Sequence, residues 1–128
     1  AFLGYETGEM NREGSANSFF GTSAGNKNTS GAYNFFFGYE AGSENTARNN
    51  SFFGSNAGQL NTTGEWNNFI GKDAGKINAG AHRNTFIGAV AGSSNETGAQ
   101  NTFVGTDAGR ANTGGEQQHL RGISSRNQ

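Results

Sequence analysis

Residues 50–66 read NSFFGSNAGQLNTTGEW, and residues 67–83 read NNFIGKDAGKINAGAHR. Laid one under the other, they share Asn, Phe, a second apolar residue, Gly, Ala-Gly and a later Asn at matching slots. The frame extends in both directions. Units begin at Asn17, Asn34, Asn50, Asn67, Asn84 and Asn101, so the leading Asn residues are spaced 17, 16, 17, 17 and 17 apart. Ala1 to Ala16 is an earlier unit without its first Asn. Gln118 to Gln128 follows the frame loosely, with Leu120 in the Phe slot, Gly122 in the Gly slot and Ser125 in the Ala slot. The chain divides into a seven-coil repeat domain, residues 1–117, and a degenerate last coil or transition segment, residues 118–128. It opens inside a unit and reads as a piece of a longer protein.

A period of this length is the signature of a stacked architecture. We number the slots of each unit from its leading Asn, which gives the consensus N-x-F-(F/I/V)-G-x-x-A-G-x-x-N-x-x-G. Slot 3 is Phe throughout: Phe2, Phe19, Phe36, Phe52, Phe69, Phe86 and Phe103. Slot 4 holds Leu3, Phe20, Phe37, Phe53, Ile70, Ile87 and Val104. These are mostly strand formers. The Gly that follows suits a bend or a close backbone approach. Ala-Gly is small where chain segments meet, and the later Gly and Asn suit turns of positive φ. The leading Asn can ladder from coil to coil. A helix is excluded, because the apolar residues come as adjacent pairs and not at i, i+3, i+4. The predicted fold is all-β, a parallel β-solenoid (β-roll) of 16–17-residue coils. Each coil has room for two short strands and two turns, and coils stack at about 4.8 Å.

Composition fits this reading. Hydrophobic residues make up 31% of the 128, with 22 Gly, 11 Phe, no Cys and no Pro. So many Phe at a net charge of −1 argues against disorder, which favours few aromatics and high charge. The same balance gives no electrostatic case for nucleic acid or for an anionic membrane. No apolar run approaches the roughly 20 residues that span a bilayer.

Adjacent strand residues point to opposite faces. Slots 3 and 4 therefore cannot both fill one coil's interior. One ladder is scaffold and core, and the other needs an outside partner. The sequence leaves open which is which. Three copies around an axis would bury the second stripe, which predicts a homotrimer.

The N-S-F-F-G-x-x-A-G unit resembles the N-S-V-A-I-G-x-x-S unit in the YadA-like heads of trimeric autotransporter adhesins. It is more similar still to the N-T-F-I-G-x-x-A-G repeats of bacterial and phage trimeric fibre proteins. The resemblance runs from Ala1 to about Gln117. It implies a left-handed roll with three chains side by side on a fibre. That fibre would be extracellular, at a cell surface or attached to an outer membrane, or part of a phage tail.

Little in the sequence suggests catalysis. His82 and His119 lack ligand-spaced neighbours such as HExxH, and a rigid stack without long loops has little room for a cleft. Slot 7 reads Glu6, Ser23, Glu40, Asn56, Asp73, Val90, Asp107, which is no regular acidic spine for Ca²⁺. The expectation is no enzyme, no metal and no cofactor. The Asn-x-Ser/Thr sequences at Asn28, Asn61 and Asn95 follow from the repeat's own composition.

Ligand contacts are expected at the variable slots. Slot 17 reads Ala16, Tyr33, Asn49, Trp66, Arg83, Gln100, Gln117. Tyr33, Trp66 and Arg83, with His82, would line one edge and suit a glycan or a protein. The simpler reading makes Trp66 a cap on the apolar ladder or part of an inter-chain seam. Tyr5 and Tyr39, just after the strand Gly, are further candidates. Thr29, Thr46 and Thr62 share a slot, but Ala79 and Glu96 break that row. The functional expectation is a structural and adhesive head or shaft segment of a trimeric surface fibre. The alternatives are a dedicated glycan-binding fibre tip or an ice-binding solenoid.

Overall fold

The computed structural model describes residues 1–122. Eight strands form one parallel sheet in sequence order. They are β1 (Phe2–Leu3), β2 (Ser18–Phe20), β3 (Phe35–Phe37), β4 (Ser51–Phe53), β5 (Asn68–Ile70), β6 (Thr85–Ile87), β7 (Thr102–Val104) and β8 (His119–Arg121). The register places each repeat slot on itself, so Phe52 pairs with Phe69 and Phe53 with Ile70. Leu120 pairs with Phe103, so the stack continues through β8. Ser125 lies outside the described residues.

Each coil carries one strand, where two were expected. The rest of the coil is turns, because left-handed residues recur too often for a second strand to extend. Slot 9 is Gly at φ 57–62° in every coil, and slots 7 and 17 take the same conformation with other residues. The turns still stack as a parallel ladder does. Gly25 N–H donates to Ala41 O at 2.9 Å, Lys27 N–H to Ser43 O at 2.9 Å and Glu40 N–H to Thr22 O at 2.9 Å. Alternate backbone groups thus find partners in the next coil, which a buried backbone requires.

The core is narrow. Phe19, Phe36, Phe52, Phe69, Phe86 and Phe103 are wholly buried, so slot 3 is the inner ladder. Their rings stack 4.8–4.9 Å apart and within 7° of parallel. That distance is the strand spacing itself. The slot-9 glycine forms the wall beneath each ring. A Cβ on Gly25 would stand 2.5 Å from the Phe19 ring.

The other side of the core is amide. Slot-1 Oδ1 accepts the slot-1 N–H of the next coil, as Asn50 does from Asn67 at 2.9 Å. Slot-12 side chains bond one another directly, with Asn61 Nδ2 donating to Asn45 Oδ1 at 2.8 Å and Asn78 Nδ2 to Asn61 Oδ1 at 2.8 Å. The slot-12 Asn is therefore a buried rung and not a turn of positive φ. The slot-15 Gly also stays out of the positive-φ region. Close approach keeps it small, since a Cβ on Gly31 would run into the carbonyl of Ala47. The 16-residue coil omits slot 14, so its amide rungs stay aligned: Asn34 Nδ2 and Asn45 Nδ2 both reach Ala47 O, at 2.7 and 2.9 Å.

Candidate functional site

Slots 2 and 4 share the outer face of the sheet. Phe37 and Phe53 are 45% and 48% exposed there, followed by Ile70, Ile87 and Val104 at 37–40%. Phe35 enters the same face from slot 2. Its ring lies 6.1 Å from that of Phe20, which also tilts against Phe37 at 5.9 Å. A shallow groove of about 350 Å³ runs along Phe35, Phe53 and Ile70, with Ser51 and Asn68 beside it. From β1 to β7 this face carries no charge; His119 and Arg121 bring polar groups at β8. The contribution of Phe35 was missed in the sequence, although strict alternation from Phe37 assigns it.

Tyr33, Trp66 and Arg83 do form one column. Each is left-handed, at φ 58°, 62° and 58°, and each is exposed. Neighbouring coils hold the column in register, with Asn49 N–H donating to Ala32 O at 3.0 Å and Arg83 N–H to Glu65 O at 3.0 Å. Trp66 does not cap the apolar ladder of its own chain, for it is 58% exposed. Among the described residues every ring–ring contact joins phenylalanines. His82 occupies the slot before Arg83. Its Nδ1 accepts the N–H of Glu65 at 3.0 Å, and Glu65 in turn lies 3.4 Å from the Arg48 guanidinium.

Tyr5 and Tyr39 stand apart from this column, on the turn after the strand Gly. Each phenol is held above its ordinary range by the glutamate beside it. For Tyr5 the charge of Glu6 dominates, then its hydrogen bond; for Tyr39 the hydrogen bond to Glu40 comes first.

The threonine row is tied to the backbone. Thr46 Oγ1 donates to Thr62 O at 3.0 Å and Thr62 Oγ1 to Ala79 O at 3.1 Å. Asn28, Asn61 and Asn95 are wholly buried with their amides bonded, so acceptor sequences at these positions are closed to modification in the folded chain. Among the described residues no three His, Asp or Glu side chains converge as a metal site, and no helix is long and apolar enough to cross a membrane. No protein-family model, curated protein or solved structure matches the chain.

Proposed function

We propose that this chain is a structural and adhesive segment of a homotrimeric extracellular surface fibre. Three left-handed rolls lie side by side with their outer sheet faces turned to a common axis. The observation that carries the reading is the uncharged apolar face of β1–β7. At about 200 Å² for a whole aromatic residue, exposures of 40–48% leave Phe35, Phe37 and Phe53 roughly 80–100 Å² each in water. With the aliphatic residues the stripe reaches on the order of 500 Å², in the upper part of the about 300–600 Å² that soluble monomers leave contiguous. Patches of this size are often functional, and this one has no charge to keep it in water.

The resemblance to trimeric fibre repeats supplies the stoichiometry, the handedness and the surface location. The role is geometric. The Phe and Asn ladders stiffen the rod, trimerisation covers the stripe, and variable slots display contacts to a glycan or protein ligand three-fold. Catalysis, a cofactor, nucleic acid and membrane contact have no part in it.

Sedimentation equilibrium of the intact chain and of Phe53→Lys tests the proposal. The chain is expected at three times 13.4 kDa and the variant at a lower mass. A folded monomer at micromolar concentration overturns it.

A further inference from the structure

Slot 17 is left-handed in every coil, at φ 54–62°. Asn or Gly is the cheap residue for that backbone, and bulky side chains are uncommon in it. Asn49 follows this rule; Tyr33 and Trp66 do not. The two rings are 65% and 58% exposed and stack on no other ring among the described residues. Ala16, Arg83, Gln100 and Gln117 fill the same left-handed slot, so the repeat requires neither ring. Their open faces are available to a contact outside the chain.

The column has a regular pitch. Rings one coil apart in the core are separated by 4.9 Å. Tyr33 and Trp66 close alternate coils, so they stand about 10 Å apart along the rod. Asn49 lies between them, and Arg83, Gln100 and Gln117 continue beyond. Gln117 Nε2 donates to Gln100 Oε1 at 3.1 Å, which shows the column running straight from coil to coil. It offers two aromatic platforms, interleaved and followed by neutral amides and one guanidinium, with no carboxylate in the slot.

We infer that this edge binds a linear, neutral, β-linked polysaccharide along the rod axis. In such a chain every second pyranose presents the same face, and that face carries axial C–H groups that pack on an aromatic ring. Tyr33 takes one ring and Trp66 the next but one. Asn49 hydrogen-bonds the sugar between them, and Arg83 with Gln100 bonds the hydroxyls beyond. An extended peptide repeats its face about every 6.6–6.8 Å, out of step with the platforms. A single-stranded nucleic acid needs a positively charged groove along its backbone. Here one cation stands in the column, the flanking slot sets Arg48 against Glu65 and Glu116, and the chain's net charge is −1. The inference rests on the adhesive part of the proposed function and not on the trimer.

The test is titration calorimetry of the full chain with β-1,4-linked glucose and N-acetylglucosamine oligosaccharides of increasing length, with α-1,4-linked glucose oligosaccharides as comparison. Binding is expected to strengthen sharply from two rings to three, and the α-linked series is expected to bind weakly. Trp66→Asn and Tyr33→Asn suit the left-handed backbone, as Asn49 does already. Each is expected to weaken binding about tenfold or more, on the scale of losing one stacked ring, with sedimentation mass unchanged. Four results overturn the inference: no β-linked binding, equal α-linked binding, wild-type affinity in Trp66→Asn, or loss of assembly in Trp66→Asn. The last makes Trp66 a seam residue. A trimer that binds no oligosaccharide sinks this inference and leaves the fibre reading standing.

Discussion

Asn61 lies directly over Asn45, its Nδ2 donating to Asn45 Oδ1 at 2.8 Å, with both side chains wholly buried. The same Nδ2 reaches Gly64 O at 2.9 Å, while Asn61 Oδ1 accepts from Asn78 at 2.8 Å. Asn61→Asp keeps the shape and removes both donors. It sets a carboxylate against two acceptor oxygens in a dry interior. We expect a loss of about 3 kcal/mol or more in urea unfolding at neutral pH. A loss under about 1 kcal/mol would mean that the amide ladder adds little.

Two glycines separate the roles that the repeat assigns to this residue. Gly58 has φ 57°, and a Cβ there would run into the Phe52 ring. Gly80 has only Thr63 Oγ1 near it, at 3.2 Å, and its φ is outside the left-handed region. Gly58→Ala is expected to cost about 2 kcal/mol or more. Gly80→Ala is expected to be neutral or to stabilise by up to about 1 kcal/mol. Thermal unfolding at matched concentration compares them, and equal effects would contradict the packing described.

Val90 is β-branched and sits at φ 64° in slot 7, where the coil ending at Trp66 carries Asn56. Asn56 Oδ1 is buried there without a partner, so Val90→Gly is the cleaner test; it should relieve the strain and raise stability by up to about 1 kcal/mol. A lower urea midpoint for this variant would show that the Val90 side chain supplies packing worth more than its strain.

The Tyr39 phenol is held above its ordinary range, first by its hydrogen bond to Glu40 and then by that carboxylate's charge. In Glu40→Gln the phenol is expected to titrate lower, nearer the usual value of about 10. Because the folded value is the raised one, the stabilising contribution is present at neutral pH and is lost as pH climbs through it. Ultraviolet difference titration, or the Tyr39 ring resonance followed by NMR, reads the change. An unaltered titration would break the pairing.

The period and the parallel stack could be read from NSFFG and AG alone, since Phe36 and Phe37 recur as an adjacent pair in fixed register. Which of them turns inward could not, because both slots are apolar in every coil. The decision lies with Gly42, whose missing Cβ leaves room for the Phe36 ring. The single strand per coil was hidden for a related reason. Slots 7 and 17 are left-handed, yet they carry Glu, Ser, Asp, Val, Tyr and Trp, so no glycine marks the corners. Asn45 and Asn61 read as turn residues because Asn serves both turns and ladders; only stacking made them rungs. The slot-17 column was visible as variation against a constant frame. The exposure of Trp66 was not, because it depends on where the corner points.

The most direct test of the shared sheet face uses the absence of cysteine from the chain. A single Ser51→Cys places a thiol on that face, and Thr46→Cys places one on an exposed turn away from it. Each variant is treated in dilute solution with a short bis-maleimide and run on a denaturing gel. Efficient chain-to-chain cross-linking is expected through position 51 and little through position 46. Equal cross-linking at the two sites, or none at position 51, would contradict it.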